Sequence, residues 1–295
     1  MGTIDYRALA VLDAVASHGS FDKAAMALGI TQSAVSQRIK ALEDASGRLL
    51  IIRGQPAVPT GLGQRLIAHH RHVKLMEASL DIDLGHAVSM PELAIAIDDD
   101  SLATWFPDAL AALLAPPRCQ LDVRLADSDA ALQMVRDGTV FGCVAAAAGN
   151  MPEVAATSMT PLGTLRHVCV ATPVFAGHWF GDGFSSEAVQ LAPAVVGQYS
   201  LLARFLAEQL KLDAPFPHHS LPVTAARRAC IADGLAYGLM PQRLAAPLLA
   251  TDALIDLVPG RTLDVALNWH AWTLDTPFTK LLSEQIVRSA RAWLG

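Results

Sequence analysis

The sequence predicts an N-terminal helix-turn-helix, a long connecting helix and a C-terminal α/β region folded as two lobes. Three observations predict this. Two short capped helices share a glycine turn between Gly19 and Gly47; apolar residues recur at helical steps from Leu62 to Leu84; and from Glu92 onward short apolar runs alternate with helical stretches. A chain of 295 residues exceeds what one core serves, and 52% hydrophobic with 17% charged residues fills several cores rather than leaving a disordered chain.

Ser20 is an N-cap, Ala24, Ala25 and Leu28 repeat at helical spacing, and Gly29 supplies the left-handed residue that ends a helix. Thr31 then caps a second helix running to about Ser46, with Gly47 as its terminator. The alanines let the two helices approach closely. On the second helix Val35, Ile39 and Leu42 fall within an arc of about 60° and make a core stripe, while Ser33, Ser36, Gln37 and Lys40 occupy about 100° opposite. A merely solvated face mixes Glu with Lys. This one carries hydroxyls and an amide that approach phosphates and base edges, with Gln suited to adenine and Lys to phosphate or guanine. Arg38, on the flank, suits a backbone phosphate. A structural hairpin is the competing reading of the helix pair taken alone.

From Thr60 to about Ala87, the residues Leu62, Leu66, Val73, Met76, Leu80 and Leu84 form a seam, with His69 filling its gap. Such a seam suits pairing with another helix, and packing against the same chain is the alternative. Charge divides along the same line. Residues 1–75 hold nine Lys/Arg against five Asp/Glu, whereas the remainder holds thirteen against twenty-three, for a net charge of -6. A helix of about 28 residues spans roughly 40 Å, well beyond the ~8 Å over which charges act at physiological salt. The basic N-terminal module is therefore free to meet nucleic acid despite the acidic remainder.

In the C-terminal region LAIAI reads as a strand, Ser101 to Leu114 as a helix, LDVRLA as a strand, Ser128 to Asp137 as a helix closed by Gly138, and FGCVAAAA as a strand. A second set follows: RHVCVAT, a helix near Ser186 to Leu191, PAVVG, a helix from Ser200 to Leu210, HSLPV, a helix from Thr224 to Gly238, and ALIDLV. DVALNWHAWTL leads to a long helix opened by Thr276-Pro277, a good N-cap and N1 pair. Segments near Thr160 to Leu165 and Leu263 to Trp269 cross between the lobes. Ligands of such sheets sit beyond the carboxyl ends of strands. One strand end delivers Asp98, Asp99, Asp100 and Ser101, and another delivers Asp127 and Asp129. Capping is the competing role for each single acid; together they point to a cationic ligand.

Other chemistries find no support. Cys119, Cys143, Cys169 and Cys230 match no zinc or dithiol spacing and read as buried small hydrophobes. The histidine clusters, His69, His70 and His72 and then His218 and His219, read as solvated faces without metal ligands. There is no P-loop, nucleophile elbow, H-E-x-x-H or dinucleotide fingerprint, and nothing fixes the geometry of an Asp264–His270 pair. The expectation is no enzyme, no metal and no cofactor beyond a small-molecule effector. No signal peptide opens the sequence and no apolar run nears the ~20 residues of a membrane span, which places the protein in the cytoplasm without a membrane partner.

FDKAAMALGITQSAVSQRIKALEDASGRLLIIR, followed by PTGLGQRL, resembles the winged helix-turn-helix of LysR-type transcriptional regulators. The resemblance implies a wing from Leu49 to Pro59 and a linker helix capped by Thr60. It implies a homodimer, and a homotetramer beyond it, on double-stranded promoter DNA, with half-sites about 34 Å apart and RNA polymerase as a further partner. The DNA-facing residues are then Thr31, Gln32, Ser33, Ser36, Gln37, Arg38, Lys40 and Arg53. The rest resembles the family's effector domain, akin to type 2 periplasmic binding proteins. Boundaries follow at 1–59 for the DNA-binding domain, 60–89 for the linker and 90–295 for the effector domain, with a first lobe of about 90–161 and 268–295 and a second of about 162–267. DDDSLATWFP, LADSD, VRDGTVFGCV and NWHAW are similar to the narrower ArgP/LysG branch, whose members respond to lysine and arginine and control basic amino acid export; Asp99 stands where that branch usually has alanine. The implied effector is L-lysine or L-arginine. Its carboxylate is expected at hydroxyls and backbone N–H groups around Ser101, Thr104, Ser200 and Thr224, its distal cation at Asp99, Asp100 or Asp127, and its aliphatic stem against Tyr199 or Trp269, for which a place in the core, as for Trp105, is the favoured competing role. A regulator of the same family with an aromatic, organic-acid or redox signal is the alternative.

Overall fold

A computed structural model describes residues 5–84, 92–114, 120–147, 157–197 and 201–295. Three helices open it, α1 (Tyr6–His18), α2 (Phe21–Leu28) and α3 (Gln32–Ser46). Gly19, Gly29 and Gly47 end them at φ between +62° and +65°, a conformation in which a Cβ costs energy. Leu9, Leu12 and Val15 of α1 pack on Ala24, Ala25, Val35 and Ile39 to make the core of this head. The strands β1 (Ile51–Ile52) and β2 (Val58–Pro59) pair antiparallel as a wing. Glu43 of α3 accepts hydrogen bonds from the Leu50 and Ile51 N–H groups and ties the wing down.

The linker helix α4 (Gly61–Asp83) divides the predicted seam. Leu62 and Leu66 pack against the head, whereas Met76, Leu80 and Leu84, four residues apart, are exposed. Between them α4 meets its own chain: Arg71 reaches Asp13 of α1 at 2.6 Å, the His72 ring lies edge-on to Trp272 at 4.8 Å, and Leu75 enters the core of the first lobe. His70 is buried, with neither ring nitrogen hydrogen-bonded among the described residues. This corrects the reading of a solvated face for His70 and for the half-buried His72, because α4 is flanked on two sides by the rest of the chain; His69, His218 and His219 are exposed as expected.

The first lobe contains β3 (Glu92–Ile97), α5 (Asp99–Ala103), α6 (Phe106–Leu114), β4 (Gln120–Leu125), α7 (Ser128–Arg136) and β5 (Gly142–Ala146). The long β6 (Thr157–Ala171) crosses to the second lobe, which holds α8 (Pro173–Trp179), α9 (Ser186–Val189), β7 (Ala194–Val196), α10 (Leu201–Leu210), β8 (His218–Ser220), α11 (Thr224–Ala232), β9 (Gly238–Pro241), α12 (Gln242–Leu249) and β10 (Ile255–Asp256). Then β11 (Leu263–Trp272) returns and α13 (Pro277–Leu294) closes the first lobe. One mixed sheet runs through both lobes in the order β10-β6-β11-β5-β3-β4, with β9 also on β6. The antiparallel β6 and β11, bulged at Leu267/Asn268, form the bridge. Separate buried clusters line the two faces of each lobe. Among the described residues no helix is long and apolar enough to cross a membrane.

Local differences from the sequence reading have local causes. The helix expected from Ser101 to Leu114 is two helices, because Pro107 has no N–H to offer the Ala103 carbonyl, and the Thr104 hydroxyl turns back to the Asp100 carbonyl at 2.7 Å. The helix expected to reach Gly238 stops at Ala232: Gly234 takes φ +71° and the chain turns into β9, which begins at Gly238. Trp269 is not a wall for a ligand stem. It is 2% exposed in the first-lobe core and donates its indole N–H to Ser283. Gly142 lies so close that a Cβ there would sit 2.6 Å from that ring.

Candidate nucleic-acid interface and inter-lobe site

In the head, local chemistry sets the angle between α2 and α3. Thr31 accepts from the Ala34 N–H at 3.2 Å and starts α3 two residues after the Gly29 turn. Val35 and Ile39 are fully buried, which forces the opposite face outward. Thr31, Gln32, Ser33, Gln37, Arg38 and Lys40 are exposed and Ser36 is half-buried, with the Gln32 amide donating to the Ser36 hydroxyl at 3.4 Å. Arg53 is exposed at the end of β1, its guanidinium 5.3 Å from the Phe21 ring centroid. No acidic side chain pairs with Arg38 or Lys40 among the described residues. Unpaired cations beside short polar groups on a protruding helix can meet a phosphate backbone and base edges.

The second constellation forms where β3 ends and the lobes meet. Asp98 caps α5 by accepting from the Ser101 N–H at 2.8 Å. Burial pushes the Asp98 carboxyl above the usual carboxylate range, with the hydrogen bond from the Ser101 N–H working against that rise. The next two acids reach across to the second lobe, Asp99 accepting from the Thr224 N–H at the start of α11. Asp100 Oδ1 accepts from the Thr224 hydroxyl at 2.6 Å and Arg227 Nη2 at 2.7 Å, and its Oδ2 accepts from His167 Nε2 at 3.0 Å. Burial alone would raise the Asp100 carboxyl; the His167 bond, the Arg227 charge and the Thr224 hydroxyl outweigh it and hold it at about 2.

Arg227, also buried, spends its remaining Nη hydrogens on the Leu221 and Pro222 carbonyls and the Thr224 hydroxyl. Three buried polar atoms at this junction have no hydrogen-bond partner among the described residues: Asp98 Oδ2 and Ser101 Oγ at the start of α5, and Nδ1 of the His167 that faces Asp100 from β6. Buried polar groups are nearly always partnered, so the three together single out this junction for a polar ligand.

The structure thus brings Asp99, Asp100, Ser101 and Thr224 together. Thr104 is adjacent, but its hydroxyl is spent on the Asp100 and Ser101 carbonyls. Asp127 caps α7 through the Ala130 N–H at 2.9 Å, the role weighed against a ligand contact. Tyr199 and Ser200 lie outside the described residues. Sequence reading missed Arg227 and His167. Arg227 follows Thr224 by three residues and so shares its helix face, but nothing in one sequence marks His167 apart from its neighbours on β6.

A redox pair of Cys143 and Cys169 is not assembled: the two occupy separate buried clusters in different lobes, and burial raises both thiols, Cys143 to about 12. Asp264 and His270 stand six residues apart on one strand, roughly 20 Å at 3.3 Å per residue. No group of three metal-ligating side chains occurs among the described residues.

A capped, outward-facing helix with a wing, a linker helix and a two-lobed domain with polar groups gathered at the lobe junction define a transcriptional regulator with a separate effector domain. The chain belongs to the LysR family. Residues 6–64 match the model of the bacterial regulatory helix-turn-helix protein, lysR family, and residues 86–291 match that of the LysR substrate binding domain. Within the family it is similar to the HTH-type transcriptional regulator ArgP of Pseudomonas aeruginosa, 38% identical over 97% of this chain and 96% of that protein. Among solved structures it resembles ArgP from Mycobacterium tuberculosis, with 31% identity, 99% of each chain covered and a TM-score of 0.87. It also resembles full-length LysG from Corynebacterium glutamicum with bound effector Arg, with 32% identity, 99% of each chain covered and a TM-score of 0.77.

Proposed function

We propose that the chain binds double-stranded promoter DNA through α3 and the wing, that L-arginine or L-lysine is its effector, and that it controls genes for basic amino acid export. The observation that carries the effector assignment is the junction of α5 and α11. Two carboxylates, Asp99 and Asp100, and unpartnered buried groups on Ser101, Asp98 and His167 converge there from both lobes. A zwitterion with an added cation matches that mixture of acids and donors, and the LysG structure with bound arginine supports the same chemistry. Ser101 and Ser200 are assigned to the ligand carboxylate, Asp99 or Asp100 to its cation and Tyr199 to its stem, while the Thr224 N–H and hydroxyl hold the two acids and Asp127 caps α7. Thr31, Gln32, Ser33, Ser36, Gln37, Arg38, Lys40 and Arg53 are assigned to DNA.

The exposed Met76, Leu80 and Leu84 stripe on α4 supports a homodimer through the linker, with dimers pairing into a homotetramer and RNA polymerase met at the promoter. The domain limits assigned are 1–59, 60–89 and 90–295, and the site of action is the cytoplasm. Ligand binding requires no reaction to signal: it favours the lobe arrangement to which it binds more tightly. Isothermal titration of the full chain with L-lysine, L-arginine, a neutral amino acid and benzoate tests the reading. Heat with either basic amino acid alone supports it, and heat with benzoate but neither basic amino acid sinks it.

A further inference from the structure

Arg227 is held as a bound guanidinium would be. Its two Nη atoms place all four hydrogens, on Asp100 Oδ1 at 2.7 Å, the Thr224 hydroxyl at 2.9 Å and the Leu221 and Pro222 carbonyls at 2.9 and 3.0 Å. The wall on one side is Gly197, where a Cβ would lie 3.2 Å from Nη1. Acid, hydroxyl and paired carbonyls around a planar fork are a guanidinium receptor, and here the chain fills it with its own side chain. Two consequences follow from the geometry. With its Nη donors spent, Arg227 cannot clasp a ligand carboxylate while it stays in place. With Arg227 already neutralising Asp100, a second cation at that carboxylate meets like-charge repulsion inside a buried site.

We propose that Asp100, Thr224 and the Leu221 and Pro222 carbonyls form a guanidinium cage occupied by Arg227, and that a cationic ligand competes with Arg227 for Asp100 rather than joining it. The inference rests on the basic amino acid reading of this junction and adds a specificity-determining residue to it. Because Asp100 lies in the first lobe and Arg227 in the second, displacement also cuts one tie between the lobes. The ion pair is then a latch that the ligand opens.

The test uses the full chain with Arg227→Ala, probed with ethylguanidinium as a stand-in for the deleted side chain and with L-arginine. The cage predicts that millimolar ethylguanidinium raises the melting temperature of Arg227→Ala while ethylammonium and urea do not. It also predicts that L-arginine binds the variant at least tenfold more tightly than it binds the unaltered chain. No rescue together with weaker or unchanged arginine affinity overturns the proposal, since Arg227 would then be a partner of the ligand or an unrelated tie. If Arg227→Ala does not fold, Arg227→Lys serves: its ammonium cannot fill the fork, so arginine must bind more tightly than in the unaltered chain, and equal or weaker binding overturns the proposal. Rescue by ethylguanidinium without any binding of L-arginine or L-lysine would leave the cage standing and remove the basic amino acid reading.

Discussion

Gly138→Ala probes how the linker helix is joined to the effector domain. Gly138 follows α7 at φ +64°, and a Cβ there would sit 1.9 Å from the Ala68 Cβ and 3.1 Å from its Cα on α4. Carbon atoms pack at about 3.5–4.0 Å, so α4 must retreat by roughly 2 Å or the first lobe must yield. One turn further along α4, His72 meets Trp272, and beyond it Leu75 enters the first-lobe core, so retreat at Ala68 loosens both contacts. The left-handed backbone costs an alanine about 1 kcal/mol and overpacking about 1–3 kcal/mol. The expected loss is therefore about 2–4 kcal/mol.

Gly260→Ala is the matched control: its φ is +77° with nothing within 4 Å of the added carbon, so it should lose only the backbone part, about 1 kcal/mol. Adding Ala68→Gly to Gly138→Ala should recover the overpacking part, less about 1 kcal/mol for a glycine inside a helix. Denaturant unfolding measures the three free energies, and a promoter titration with and without L-arginine reads whether the effector response is lost with them. If Gly138→Ala unfolds like Gly260→Ala, or Ala68→Gly restores nothing, the docking of α4 on the first lobe is not as described.

Three further outcomes follow. Asp100→Asn leaves Arg227 buried without its counter-charge and should cost about 3–5 kcal/mol in urea unfolding; because the Asp100 carboxyl is held at about 2, its contribution is full above the ordinary value near 3.8 and fades only as pH falls toward 2. Burial lowers His72 to about 4, with His69 adding to the effect, and burial also lowers His70. The unfolded chain therefore binds more protons, and stability should fall as pH drops from about 6.5 to 4, a slope that His72→Phe reduces in thermal melts across that window. Lys40→Ala should lower the salt dependence of DNA binding by about 0.9 log units per log unit of salt, whereas Gln37→Ala should cost about 1–3 kcal/mol on a preferred sequence and little on random duplex, both read by fluorescence anisotropy.

The head was legible because its signals are local. Ser20, Gly29, Thr31 and Gly47 act within one turn of themselves, and each caps or ends the helix expected of it. The acids at the end of β3 were legible for the same reason, since a strand followed by a capped helix places them by chain order alone. What stayed hidden depends on distant partners. The short α12 and the strand β9 owe their form to packing on β6, and His70 and His72 lose solvent only because α4 docks on two other parts of the chain. Arg227 was visible as a letter on the face of Thr224. Its role needed Asp100, 127 residues away in sequence, to be seen beside it.

The account stands most directly on α3 as the sequence reader. The decisive measurement is the affinity of the full chain, and of its Ser33→Ala, Ser36→Ala, Gln37→Ala triple variant, for a duplex selected from random sequence by the unaltered protein. The account predicts that the triple variant keeps its salt-dependent affinity for arbitrary DNA and loses tenfold or more on the selected duplex; equal affinity of both proteins for that duplex would contradict it.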